Sequence, residues 1–412
     1  MAEIRAFKSI RPNGAYAASI AALPYDVYNR AEARQAAAEN PLSFLKIDRA
    51  ETQLDEEIDM YSDPVYDKAR HILDEMIKDA YFIQEDIPCY YIYELTLKGR
   101  SQTGLAGCAA IDDYLNNTIK KHENTLSTKE QDRIRHIDRC NAQTGPIFLT
   151  YRENTQITEI IEQIKLSDPL YDFQTSDGVT HRLWKVAEDS QKQSLYQLFS
   201  SISSYYIADG HHRAASAVKV GLNRRAENPG YSGEEEFNYF LSVLFPDKQL
   251  NILPYHRIVH DLNGHTTKSF LTALGDSFEI TPLGKEQLLP EHPHQFGLYL
   301  KHCWYQLDAR ASIIDKDIVK QLDVSILQDY ILSPILHIPE PKTDPRISFV
   351  GGIHRLDILE QKADAFPDAA AFSMYPTSIP ELLSTADAGK LMPPKSTWFE
   401  PKLRSGLLIH KL

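Results

Sequence analysis

The chain has 412 residues and carries 44 Lys and Arg against 57 Asp and Glu, a formal net charge of −13. This length accommodates two or three domains at roughly 100–200 residues each, and a composition of 42% hydrophobic and 25% charged residues excludes a wholly disordered chain. The acidic balance argues against nonspecific DNA binding, which needs a basic surface, and leaves room for a local basic pocket.

In chain order, PYDVYN at 24–29 reads as a turn entering a helix over 31–40, which is rich in helix formers and stops before Pro41. A second helix is predicted over 64–79 from apolar residues at helical spacing. Residues 89–97 (CYYIYELTL) are aromatic and β-branched and run into Gly99, the pattern of a hairpin strand. Further strands are predicted at 147–151, 183–186, 204–208 and 239–245, with helices at 127–139 and 157–165 between them. Ser127 and Glu130 have the S-x-x-E form of a capping box. This alternation predicts an α/β or α+β domain over about 89–260, followed by more short strands and helices and a Pro- and Lys-rich end. The four cysteines form neither a CxxC pair nor a disulfide framework. No stretch approaches the roughly 18 apolar residues of a membrane helix, and the start lacks a signal-peptide pattern. The expectation is a cytoplasmic protein with reduced thiols and no membrane partner.

Three segments carry chemistry. In YYIADGHHRAASA (205–217) an apolar strand ends in Asp209 and Gly210, and His211, His212 and Arg213 open a small-residue helix. Glycine there permits close backbone approach, and the helix start offers free N–H groups to phosphate oxygens. Arg213 adds a planar fork, while Asp209, of opposite sign, suits Mg²⁺ or a substrate group. The bland alternative is a tight turn with exposed histidines. The second segment, around Lys120, Lys121, His122 and Glu123, sets a carboxylate beside cations, a pairing suited to a general base acting near an anion. Asp132, Arg133 and His136 follow within helical reach of one another, which a solvated charged helix would explain equally well. In the third, LMPPKSTWFEPKLRSG (391–406), two prolines stiffen the backbone ahead of Lys395, Ser396 and Thr397, with Lys402 and Arg404 beyond. Asp26, Lys121, Lys402 and Arg404 are further candidates for substrate or phosphate contact. No GxGxxG, Walker P-loop or protein-kinase motif set is present, and the short histidine pairs at 292–294 and 302–303 read as surface loops.

Together, in chain order, K-H-E at 121–123, D-G-H-H-R at 209–213 and P-K-S-T at 394–397 resemble the free serine kinase family. The pattern from IRPNGAYAASIAALPYDVYN to the tail is also similar to a widespread family of unknown function, some of whose members are pyrophosphate-dependent serine kinases. The resemblance implies an α+β fold with a ParB/sulfiredoxin-like catalytic core at 87–262, flanked by α/β regions at 1–86 and 263–412, the tail returning to the active site. It implies transfer of a phosphoryl group to free L-serine, with pyrophosphate or else ADP or ATP as donor and Mg²⁺ as cofactor. By the same resemblance Glu123, with His122 beside it, is the general base, and Asp209 assists Mg²⁺ or substrate. Gly210, His211, His212, Arg213, Lys395, Ser396 and Thr397 hold phosphate. Glu123 and Asp209 are 86 positions apart, beyond the smaller archaeal spacing, so the resemblance assigns that insertion no contacts. A competing reading is a ParB-like, nucleotide-dependent DNA-binding protein; the net charge and the lack of a basic cluster speak against it, and retention on heparin at low salt would revive it.

Overall fold

The computed structural model describes residues 2–412 and is mixed α/β. It divides into two compact units, the first formed by the chain to Lys121, Thr125–Leu250 and Pro401–Leu412, the second by His122–Asn124 and Asn251–Glu400.

The first unit is built on a nine-stranded sheet. From edge to edge it runs Ile119–Lys120, Tyr205–Asp209, Ile147–Tyr151, Tyr239–Pro246, Arg100–Ala110, Tyr90–Leu97, Thr180–Val186 and Tyr171–Gln174, with Ile4–Arg5 added against Arg100–Ala110. Two neighbour pairs are parallel, Tyr205–Asp209 with Ile119–Lys120 and Tyr239–Pro246 with Ile147–Tyr151; the rest are antiparallel. The predicted hairpin turns through Lys98 and Gly99, both at positive φ (51° and 80°), the backbone sense that matches strand twist in a two-residue turn. Tyr239–Pro246 is buried at every position, which explains why it reads as a continuous apolar run rather than an alternating one. Helices Thr155–Ile164 and Asp189–Ser200 contribute Ile157, Ile161, Leu195 and Phe199 to one core of this unit. A second core gathers Ala33, Val65, Ala69 and Leu73 of helices Arg30–Glu39 and Asp63–Lys78 around Phe44.

Helix Ser127–Cys140 starts where predicted, but the capping box does not form. Leu126 is the N-cap without a side-chain bond, and the Glu130 carboxylate accepts from the Thr125 hydroxyl instead. Complete capping boxes occur at Asn29 with Glu32 and Ser378 with Glu381. Helix His211–Glu227 contains Gly221, where a Cβ would lie 2.4 Å from the Phe237 carbonyl oxygen and 2.7 Å from Ile111 Cδ1. Alanine for glycine in a helix ordinarily gains about 0.5–1 kcal/mol. Here overpacking, at about 1–3 kcal/mol, outweighs that gain, so Gly221→Ala is expected to lower Tm in a thermal melt.

The second unit holds a six-stranded antiparallel sheet in the order Phe278–Gly284, Cys303–Ala309, Gln295–Leu300, Ala370–Met374, Tyr255–Val259 and Ile347–Gly351. Ile258, Tyr299, Trp304, Val350 and Ala371 of the sheet pack with Leu359 and Ala363 of helix Leu356–Asp364. Asp323 Oδ1 accepts from the His294 main-chain N–H at 2.8 Å, while its buried Oδ2 has no partner among the described residues. Burial pushes this carboxyl up to about 7, against the opposing His294 bond and with the charge of Glu381 adding. The folded state therefore keeps a proton that the unfolded chain releases near pH ~3.9. The stabilisation is complete below about pH 4, falls as pH rises toward about 7, and is gone above it. Asp323→Asn is expected to melt above the wild type at about pH 8 and to lose less stability on the way there; identical pH profiles would refute this.

Among the described residues no helix is long and apolar enough to cross a membrane. The four cysteines are free thiols, three of them buried.

Candidate functional site

The strand Tyr205–Asp209 ends in an irregularity: Ile207 pairs with Leu149 and Asp209 with Phe148, so Ala208 is an extra residue opposite no partner. Such a bulge re-aims the side chain that follows it, here Asp209. Gly210 then adopts φ +94° and the 17-residue helix His211–Glu227 begins. A Cβ at Gly210 would meet the Arg213 guanidinium, 3.0 Å from Nε. The glycine is thus required both by its left-handed backbone and by the arginine folded back over it.

Arg213 is buried; its guanidinium donates to the Pro146 carbonyl at 2.5 Å and reaches Asp209 Oδ2 at 3.5 Å. Lys402 Nζ lies 3.3 Å from the same carboxylate oxygen. Burial alone would raise Asp209, but the charges of Lys402 and Arg213 outweigh it and hold the carboxyl well below the usual carboxylate range. His211 is buried and His212 half-buried. The Leu126 N–H donates to His212 Nε2 at 2.9 Å, which leaves the His212 proton on Nδ1.

Beside the turn lies a small cavity lined by Tyr25, Asp48, Arg133, His136, Thr144, Arg213 and Ser405 among others. Asp132, Arg133 and His136 are not on a solvated helix face; all three are buried. Asp132 accepts from Tyr66 Oη at 3.0 Å and pairs with Arg133 at 2.8 Å, and the Arg133 guanidinium lies 4.1 Å over the Tyr25 ring. His136 Nε2 donates to the Ile47 carbonyl at 3.0 Å; burial, then the Arg133 charge, lower it below the ordinary histidine range. Asp48 Oδ1 accepts from Thr144 Oγ1 at 2.8 Å. Two arginines, a neutral imidazole and hydroxyls at one cavity can bind an oxyanion and neutralise charge on it. Of these residues, sequence patterning pointed to Arg133 and His136 only as possible partners of Asp132, and Tyr25, Asp48, Thr144 and Ser405 gave no signal.

Arg404 lies in a network of its own. It is buried, its guanidinium bonds to Asp177 and to Thr175 Oγ1 at 3.0 Å, and its Nε donates to His181 Nε2 at 3.2 Å. His181 in turn bonds to Tyr93 Oη at 2.8 Å, and burial, then the Arg404 charge, lower it to about 3. This network anchors the tail between Lys402 and Ser405. Asp26 is exposed on the short helix Tyr25–Val27. Lys121 is exposed, with Nζ 5.7 Å over the Tyr114 ring.

In the second unit the buried His122 and half-buried Glu123 share a segment with Asn124. The Met392 N–H donates to the His122 carbonyl at 2.8 Å, and Lys342 Nζ donates to the Asn124 carbonyl at 2.8 Å. The main chain of the Glu123 segment is therefore tied to the strand of chain that leads into Lys395, Ser396 and Thr397. Lys395 is exposed, Ser396 buried with its hydroxyl on the Pro393 carbonyl at 2.6 Å, and Thr397 half-buried. The turn at 209–213, with Lys402, belongs to the first unit; Glu123 and the 395–397 loop belong to the second.

Among the described residues no three His, Cys, Asp or Glu side chains gather in a metal-binding group, and Asp209 is already paired with two cations. A Mg²⁺ ion carried in on donor phosphates, needing one protein carboxylate or none, belongs to the substrate.

Residues 4–325 match the family described as "Protein of unknown function (DUF1015)". No curated protein matches the chain. Similar solved structures include a free serine kinase variant in complex with AMP, at 12% identity over 73% of this chain and 90% of that one, TM-score 0.37. A conserved hypothetical protein from Pyrococcus furiosus matches at 12% over 73% and 92%, TM-score 0.37. C-terminally truncated SbnI from Staphylococcus aureus matches at 11% over 74% and 87%, TM-score 0.38. At these scores the likeness assigns no residue a role.

Proposed function

The chain belongs to the DUF1015 family of unknown function, and from its own residues we propose that it is a small-molecule kinase that phosphorylates the hydroxyl of free L-serine, with inorganic pyrophosphate as donor. The observation that carries this is the 209–213 turn: a left-handed glycine at a helix start, with the Arg213 guanidinium folded over it and Lys402 held beside it by Asp209. Both cations are held in place before any anion arrives, which is the preorganisation that phosphoryl transfer requires.

Glu123 accepts the serine hydroxyl proton as the oxygen attacks the terminal phosphorus. The P–O bond to the second phosphate breaks, and O-phospho-L-serine and phosphate leave. Lys395 contributes positive charge to the donor. Phosphate oxygens compete with Asp209 for Lys402 and Arg213, so the carboxylate acts as the counter-ion that releases them. Pyrophosphate has no base or sugar to bind, so its affinity comes from cations and backbone donors, and those are the groups this chain concentrates at its motifs.

The test is to incubate the protein, Mg²⁺ and L-serine with pyrophosphate, ADP or ATP separately and to measure phosphoserine by mass and kcat/KM for each donor. Phosphoserine with a preference for pyrophosphate is expected. A nucleotide preference overturns the donor, and no phosphoserine with any donor overturns the kinase.

A further inference from the structure

Arg257 lies in strand Tyr255–Val259 of the second unit, and its side chain is 3% exposed. No carboxylate pairs with it among the described residues; its guanidinium donates to two main-chain carbonyls, that of Tyr255 and, at 3.0 Å, that of Lys395. Burial without a carboxylate to offset it lowers Arg257 to about 10. A charge kept in such a place is costly to the fold, so stability alone does not account for it.

Its contact with Lys395 has a geometric consequence. Lys395 is a non-glycine residue at φ +59°, a conformation that a side chain adopts only when its surroundings impose it. Arg257 pulls the Lys395 carbonyl inward, and Thr377 Oγ1 pulls that of Ser396 inward at 3.0 Å. With two successive carbonyls turned in, Pro394 and Lys395 form a tight turn, the Ser396 N–H facing the Pro393 carbonyl. The Lys395 ammonium, exposed and 5.3 Å over the Tyr255 ring, stands at the same loop.

We infer that Arg257 is a positioning residue: its buried fork holds the 394–397 loop in the form that presents the Lys395 ammonium to the phosphates of the donor. This rests on the reading of that loop as a phosphate site. Arg257 itself does not touch the donor; it acts through the Lys395 carbonyl.

The experiment measures pyrophosphate binding by titration calorimetry, together with Tm, for Arg257→Met, Arg257→Lys and Lys395→Met. Met fills the volume without the charge, and Lys keeps the charge without the fork. Both Arg257 variants are expected to bind pyrophosphate about 10–100-fold more weakly, the worth of one or two charge-assisted bonds. Arg257→Met should keep Tm within about 3 °C of wild type, because a buried charge is removed along with its bonds. A merely structural arginine would instead lose Tm, and loss of folding in both variants overturns the inference. If Arg257→Met alone melts early, Arg257→Lys decides, and affinity within about twofold of wild type overturns it. Weakening by Lys395→Met with none by the Arg257 variants overturns the role of Arg257 and leaves the loop as a phosphate site. No weakening in any variant overturns both. Weakening by the Arg257 variants alone shows that Arg257 acts elsewhere and also overturns it.

Discussion

Glu123→Gln is expected to lower kcat for phosphoserine formation about 10²–10⁴-fold, the usual worth of a general base. The substitution replaces one carboxylate oxygen by an amide nitrogen and leaves volume and reach unchanged. The segment that carries Glu123 is held through its main chain, by the Met392 N–H on the His122 carbonyl and by Lys342 on the Asn124 carbonyl. The variant should therefore fold with the same Tm and bind pyrophosphate with little change, since in the proposed mechanism the lost carboxylate acts on the acceptor hydroxyl. Mass detection of phosphoserine, with a thermal melt alongside, checks both halves. A near-wild-type kcat removes Glu123 from the mechanism, and a collapse in Tm would mean that it serves the fold.

Gly210→Ala is expected to reduce kcat/KM about 10–10²-fold. The added Cβ falls 3.0 Å from Arg213 Nε at a backbone angle of φ +94°, so either the turn or the guanidinium must move. Moving Arg213 off its place forfeits a charge-assisted bond to a phosphoryl oxygen, about 1.5–3 kcal/mol, and the left-handed backbone costs about 1–2 kcal/mol of stability besides. Gly99→Ala is the control: it has a similar φ of +80° with nothing within 4 Å of the new Cβ. It should lose stability and keep kcat/KM. Equal activity in the two variants would mean that the crowding of Arg213 has no part in the reaction, and the 209–213 turn would lose its role as the phosphate site.

Much of the local structure was legible because its causes are local. The helix Arg30–Glu39 stops before Pro41, the hairpin turns at Lys98 and Gly99, and the strand Tyr205–Asp209 hands over to a helix through a glycine within five residues. Each is written in adjacent side chains, by proline sterics, by positive φ at a turn, or by apolar runs of the length of a strand. The capping box at Ser127 shows the limit of that kind of pattern: the spacing was right, but Thr125 offered Glu130 a different bond.

The sequence by itself determined the mixed α/β character, the helix and strand order, and the turn at 209–213 with its chemically distinctive residues. Tertiary structure alone decided which charges are buried and what they do. Asp132, Arg133 and His136 read equally well as a solvated helix face, and they became a buried cluster only because Tyr66, Tyr25 and Ile47, each 66 or more positions away, close over them. Arg404, a candidate for substrate or phosphate contact, bonds to Asp177 and His181. Lys402, a few residues before it, reaches Asp209 across 193 positions of sequence. The physical reason is that the state of a charge depends on its dielectric surroundings and its partner, and in a sheet that joins strands distant in sequence both come from parts of the chain that no local periodicity contains.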